Sequence, residues 1–234
     1  MKYKNILTGI ILAGGQSKRL DLSKPKPLIK VGGKLLLSRV ADAIKPLCSE
    51  IVLVVTPNQE KDITDLGIAL GMNIITDTKP FSGPLAGIHA GISSSMTPLS
   101  FIVGADYPFI STKLIKKMLE KSVPGFSEKK FNAVVPKYEG ILNPLQAIFP
   151  KTDWENYILE ELSKGSESIT KLITKAIKNN NPKVVIMDED EIKLVDPKFI
   201  SMIDIDDKES LNFSKRIVKK MEIEKINSSK PLRG

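Results

Sequence analysis

Histidine and cysteine are almost missing from this chain: His89 and Cys48 are the only ones among 234 residues. A single histidine excludes mechanisms built on a histidine pair, and His-rich zinc sites with them. A single cysteine excludes an internal disulfide, so an oxidising compartment is neither needed nor suggested. Aromatic residues make up only 6% of the chain, which leaves few stacking platforms for single-stranded nucleic acid. No apolar run approaches the ~20 residues of a membrane-spanning helix. The basic start Met1–Asn5 and the apolar Ile6–Ala13 resemble a leader. They run into Gly14-Gly15 and charged residues instead of a cleavage site, so the expected compartment is the cytoplasm.

What is present is ordinary for a globular protein. Hydrophobic residues are 41% and charged residues 26%, which excludes wholesale disorder and collagen-like architecture. The formal charge of +8 invites a nucleic-acid reading, but it is unevenly placed. From Phe213 onward, seven basic residues face only Glu222 and Glu224, so five of the eight net charges lie in this segment. A solvated basic helix end accounts for them, and nucleic acid is not the expected partner.

Short apolar runs alternate with segments of helical period. Thr8–Leu12, Ile51–Thr56, Asn73–Thr76, Ser100–Val103, Ala133–Val135, Leu145–Phe149 and Val184–Met187 read as strands. Lys34–Leu47, Lys61–Leu70, Leu85–Ser95, Thr112–Lys121 with Ser111 as cap, Trp154–Ser163, Ile169–Asn179 and Lys208–Met221 read as helices. Residues 122–131 and 136–144, rich in Pro, Gly and charge, read as excursions. Strands that do not alternate internally, separated by helices, predict a mostly parallel sheet covered on both faces, an α/β three-layer sandwich. The expected organisation is one domain over residues 1–224, followed by a flexible tail over 225–234.

In such a sheet, ligands bind beyond the carboxyl ends of the strands. The first such loop reads Leu12-Ala13-Gly14-Gly15-Gln16-Ser17-Lys18-Arg19. Its paired glycines let backbone N–H groups approach an anion, and Arg19 is a bidentate phosphate donor. It is neither a G-x-G-x-x-G fingerprint nor a Walker A loop, and a double glycine also makes an ordinary turn. Lys26 follows between Pro25 and Pro27, which restrict the backbone that carries its ammonium. Asp106 directly follows a buried strand, where one carboxylate and phosphate oxygens can complete an Mg²⁺ shell. Ser111 already offers the next helix its cap. Asp77 closes the third strand, within reach of a ribose or base. Asp204 and Asp206 alternate at what reads as a strand end, so both face one side and suit a second metal contact; helix capping would explain one of them. Gly83 begins a helix with small residues against which something bulky can lie. His89, one turn inside that helix, reads as a packing or surface residue.

Taken together, LAGGQSKR (12–19), PKPL (25–28), GPLAGI (83–88), GADYPFI (104–110), NPLQAIF (143–149) and IDIDDKESL (203–211) resemble, in order, the molybdenum cofactor guanylyltransferases. The resemblance spans about Thr8 to Leu211. It implies a Rossmann-like nucleotidyltransferase that joins GMP from GTP to molybdopterin phosphate with Mg²⁺ and releases pyrophosphate. It also implies contact with other proteins of cofactor biosynthesis or molybdoenzyme maturation. By the same resemblance Leu12, Ala13, Gly14 and Gly15 would line the nucleotide, with Gly83, and Lys26 would meet its phosphates. Asp77 would sit at the nucleoside and Asp106 would bind Mg²⁺. The expected catalytic set is Arg19, Lys26 and Asp106, and the expected metal set Asp106, Asp204 and Asp206. The last two stand where the family often has asparagine, Asn143 stands where many members have histidine, and residues 165–168 lack a common arginine.

The chemistry fits this inventory, because a terminal phosphate is already an anionic nucleophile and needs no histidine base. Three other readings remain at this point. One is the same fold acting as a molybdopterin cytidylyltransferase or on cobinamide phosphate. Another is a nucleotide-binding regulator without catalysis. The third is a nucleic-acid binder using the basic C-terminal segment.

Overall fold

In chain order the strands are β1 (Leu7–Leu12), β2 (Lys30–Val31), β3 (Lys34–Leu35), β4 (Glu50–Val55), β5 (Asn73–Thr76), β6 (Leu99–Gly104), β7 (Ala133–Tyr138), β8 (Ile141–Leu142), β9 (Gln146–Pro150) and β10 (Val184–Met187). The helices are α1 (Leu36–Ile44), α2 (Lys61–Ala69), α3 (Pro84–Ser94), α4 (Thr112–Ser122), α5 (Lys151–Ser163), α6 (Ile169–Asn179), α7 (Glu189–Lys193) and α8 (Lys208–Ser228). This computed structural model describes residues 5–14, 24–57, 61–76, 81, 83–123 and 130–228.

The main sheet has the order β10-β7-β9-β6-β1-β4-β5, with β8 paired to β7. β1 runs parallel to both β4 and β6, while β9 runs antiparallel to β6 and β7. The chain moves outward from β1 to β4 and β5, then returns to place β6 on the other side of β1. The crevice between β1 and β6 is therefore the topological switch point, where ligands bind in sheets of this kind.

Both faces are covered, which explains why β1 and β6 read as unbroken apolar runs. Leu7 and Ile11 of β1, with Phe101 and Val103 of β6, pack in one core against Leu37 and Val40 of α1 and Ile115 and Met118 of α4. Ile10 and Ile102 point the other way, into a core with Ile88 of α3, Trp154 of α5 and Leu172 of α6. The expected three-layer α/β sandwich with a mostly parallel sheet is the observed one. A third cluster joins an early segment to a late one: Ile29, Val31 and Leu36 pack with Ile205, Leu211 and Val218.

Several element boundaries differ from the expectation. Lys34 and Leu35 belong to a hairpin, not a helix: β3 pairs with β2 across Gly32 and Gly33, both at positive φ (56° and 74°). That is the backbone a tight two-residue hairpin turn needs, so α1 starts only at Leu36. Residues 136–144 are not an irregular excursion. β7 continues through Pro136 to Tyr138 and pairs with β8 around Glu139-Gly140. Of residues 122–131, Ser122 closes α4, and 124–129 lie outside the described residues. Residues 203–206 are not a strand but an extended segment following a short 3₁₀ turn, Ile200–Met202. α8 passes Met221 and continues to Ser228. No helix among the described residues is long and apolar enough to cross a membrane.

Candidate active site

The crevice between β1 and β6 opens into a cavity of about 260 Å³, lined by Leu12, Gly14, Val54, Thr56, Gly83, Gly87, Gly104, Asp106 and Leu145 among others. Two backbone hydrogen bonds hold its floor together. The Ala13 N–H donates to the Val54 carbonyl (3.0 Å), and the Ala105 N–H donates to the Leu12 carbonyl (3.0 Å). These bonds prolong the sheet by one residue beyond β1 and β6, which presents Gly14 and Asp106 at its edge. Gly83, at φ 89°, directs the chain into α3 with Pro84 in its first turn.

Gly104 is a site residue that the sequence did not disclose. A Cβ at this position would collide with Asp106 Oδ1 and stand 3.2 Å from the Tyr107 ring. The absent side chain is what lets the Asp106 carboxylate fold back over the strand end. The sequence signal for Gly104 is a glycine two residues before the aspartate, in the run Gly104-Ala105-Asp106. Asp106 is not needed as a helix cap, since Ser111 Oγ accepts from the Leu114 N–H (3.3 Å).

Lys26 lies on a single 3₁₀ turn, Lys26–Leu28, flanked by Pro25 and containing Pro27. Its ammonium donates to Asp106 Oδ2 at 3.1 Å and to Asp206 Oδ1, joining residues from three distant parts of the chain. Burial works against the charge on Lys26, but the hydrogen bonds and charges of Asp206 and Asp106 outweigh it and raise its pKa. Asp204 is also near, and burial first, then the charges of Asp206 and Asp106, raise its carboxyl pKa. Tyr107 is raised for the same reasons: burial first, followed by Asp204, Asp106 and Asp206. Among the described residues, three carboxylates are thus gathered near the Lys26 ammonium.

The segment that delivers Asp204 and Asp206 is pinned by residues of the 104–110 and 143–149 motifs together with Asp196. The Tyr107 hydroxyl donates to Asn143 Oδ1 (3.0 Å), and Asn143 Nδ2 lies 3.7 Å from Met202 Sδ. Gln146 Nε2 donates to the Ser201 carbonyl, and Asp196 accepts from both the Ser201 N–H (2.7 Å) and its hydroxyl (2.6 Å). The Ile205 N–H then donates to the Asp106 carbonyl (3.0 Å).

The structure therefore brings Leu12, Gly14, Gly83 and Asp106 to one cavity, with Lys26, Asp204 and Asp206 at its Asp106 end, whereas the Ala13 side chain is buried in the core beside Leu37 and Val40. Gly15, Arg19 and Asp77 lie outside the described residues. His89 is set apart: it lies 3.5 Å from Ser93 within α3, and burial, opposed by Glu155, lowers its pKa. Among the described residues, no group of three or more His, Cys, Asp or Glu side chains is arranged to hold a metal. One or two carboxylates open to phosphate oxygens nevertheless suit Mg²⁺, which rarely uses an all-protein cage. The oxygen-only donor set at Asp106 fits that pattern.

Residues 9–180 match the family described as the MobA-like NTP transferase domain. A molybdenum cofactor guanylyltransferase of Desulfosudis oleivorans is 32% identical over 215 residues, 91% of this chain and 96% of that protein. A probable molybdenum cofactor guanylyltransferase of Pelotomaculum thermopropionicum is 31% identical over 144 residues, covering 62% of this chain and 63% of that protein. Among solved structures, molybdopterin-guanine dinucleotide biosynthesis protein A of Archaeoglobus fulgidus superposes with a TM-score of 0.73 at 21% identity. That superposition covers 91% of this chain and 99% of the other. With its switch-point cavity and a family match across most of its length, the chain is a nucleotidyltransferase and belongs to the MobA-like NTP transferase family.

Proposed function

We propose that a single domain over residues 1–224 transfers GMP from GTP to the terminal phosphate of molybdopterin and releases pyrophosphate, in the cytoplasm. The observation that carries this reading is the meeting of Lys26 and Asp106, 80 residues apart in sequence, at the end of a largely apolar switch-point cavity. A flat base suits the walls formed by Leu12, Val54 and Leu145. The phosphates then extend towards Lys26 and Asp106, with Arg19 and the Gly14-Gly15 backbone as further candidates for them and Asp77 for the nucleoside.

The reaction needs alignment more than acid–base chemistry. An oxygen of the acceptor phosphate attacks the α-phosphorus of GTP. The bond from that phosphorus to the bridging oxygen breaks, and pyrophosphate leaves with the electron pair. The Lys26 ammonium offsets the repulsion between the two anionic partners and the charge gathering on the leaving group. Asp106 would hold Mg²⁺ together with phosphate oxygens, with Asp204 as the neighbouring candidate. When bound, the ion offsets charge on the transferred group and on pyrophosphate. Backbone packing at Gly104 and the Ile205–Asp106 hydrogen bond keep the Asp106 carboxylate aimed at that position.

The deciding experiment supplies GTP, CTP or ATP with Mg²⁺ and molybdopterin, and scores pyrophosphate release and product mass. Release with GTP and a guanine dinucleotide product is expected. Release with CTP alone would overturn the guanine assignment.

A further inference from the structure

Lys26 has a backbone restricted by prolines but a long, flexible side chain. Two prolines fix where the stem begins and leave open where the ammonium ends. A lysine must lose side-chain freedom before it can meet a phosphate, and a partner that holds it beforehand reduces that cost. Among the described residues, Asp106 after β6 and Asp206 before α8 hold it from different directions.

We propose that Asp206 is the positioning residue of Lys26, acting on catalysis through the ammonium and not as a metal ligand. Its carriage is rigid on both sides. The Ile205 side chain is fully buried with Ile29 and Leu36, the residues that follow Lys26 in sequence, and the Ile205 N–H is bonded to the Asp106 carbonyl. The Asp206 N–H donates to Ser210 Oγ at 3.1 Å, in the turn that opens α8. One segment therefore registers itself against both the residues that follow the Lys26 turn and the Asp106 loop, and brings a carboxylate to the ammonium. The Lys26 side chain is 17% exposed and that of Asp206 is 47% exposed, so the ammonium is the sheltered partner and Asp206 the solvent-facing one. A carboxylate here repels an incoming triphosphate. Its benefit accordingly lies in orientation, felt when charge develops on the departing pyrophosphate, and less in nucleotide affinity.

This inference rests on the guanylyl-transfer reading, and the test separates the two. The whole chain is prepared as wild type, Asp206→Asn, Asp206→Glu, Lys26→Met and the Lys26→Met/Asp206→Asn double variant. Steady-state pyrophosphate release is then measured against GTP and against Mg²⁺. Asp206→Asn is expected to lower kcat about tenfold while KM for GTP moves by less than about threefold, with the half-saturating Mg²⁺ concentration unchanged. Asp206→Glu should recover part of kcat, and the double variant should be no slower than Lys26→Met alone. Multiplying losses in the double variant, or a shifted Mg²⁺ requirement with unchanged kcat, would overturn the proposal.

A second readout does not depend on turnover. In ¹⁵N-lysine-labelled protein, an ammonium resonance absent from Lys26→Met should be present in wild type and lost or displaced in Asp206→Asn. An unchanged resonance in Asp206→Asn overturns the positioning role even if the wild type releases no pyrophosphate from GTP, a result that would by itself defeat only the guanylyl reading.

Discussion

The Asp106 carboxylate occupies space that any side chain at residue 104 would need. A Cβ on Gly104 would run into Asp106 Oδ1 and crowd the Tyr107 ring. Gly104→Ala must therefore push Asp106 aside, because the backbone there is the last residue of a central, buried strand and cannot yield. Displacing a catalytic group by about 1 Å can cost on the order of a hundredfold in rate. Gly104→Ala is expected to lower turnover by about ten- to a hundredfold, with a stability loss of about 1–3 kcal/mol. Pyrophosphate release and urea unfolding measure the two, and wild-type turnover in this variant would mean that the Asp106 position has no part in the reaction.

Asp106→Asn keeps the shape of that side chain and removes its charge. The backbone bond from Ile205 and the packing at Gly104 do not depend on the carboxylate, so circular dichroism should show an intact fold. Turnover should fall by about 10²–10³-fold, the rate equivalent of several kcal/mol of lost charge stabilisation. Near-normal turnover at saturating Mg²⁺ would remove Asp106 from the metal role.

These two neighbours show what could and could not be read in the chain. β1, β4 and β6 were legible because strands buried on both faces are apolar throughout, and the order of such runs with helices dictates the parallel sheet. Asp106 was legible because a carboxylate just past a buried strand has few structural reasons to be there. The β2–β3 hairpin was not: Leu35 and Leu36 continue the helical stripe of Val40 and Ile44, and only the backbone at Gly32-Gly33 breaks it. Asp204 and Asp206 alternate like strand residues, yet among the described residues no strand pairs with them, and an extended chain alternates whether or not it is paired. The ion pair between Lys26 and Asp206 spans 180 residues, and no local pattern encodes it. It follows from packing Ile205 beside Ile29 and Leu36.

Tyr107 should matter for holding the acidic segment in place. Its hydroxyl donates to Asn143 Oδ1, and Asn143 in turn touches Met202, just before the segment that carries Asp204 and Asp206. Tyr107→Phe leaves the Asn143 oxygen without this donor in a largely buried setting, a loss of about 1–3 kcal/mol. The expected result is a lower urea midpoint with an unchanged slope. Asn143→Ala should give a loss of similar size, and the double variant should lose less than the sum of the two, since both remove one bond. Fully additive losses would show that the bond contributes nothing.

Cys48 gives a pH prediction with a definite sign. Burial pushes its thiol pKa from 9.0 up to about 12, and its sulfur lies near Gly9 in the core under β1. Between pH 9 and about 12 the unfolded chain releases the thiol proton while the folded chain retains it, so the folded state binds more protons and stability falls as pH rises. Below pH 9 the contribution is fully present. Native protein at pH 8 should thus resist a thiol reagent such as dithionitrobenzoate and react only after unfolding, because the thiolate is the nucleophile. Cys48→Ala should lose stability at pH 7 through the small cavity it creates, and should show a shallower decline between pH 9 and 11 than wild type. Equal declines in the two proteins, followed by urea unfolding at each pH, would show that Cys48 ionises as readily in the folded state as in the unfolded one.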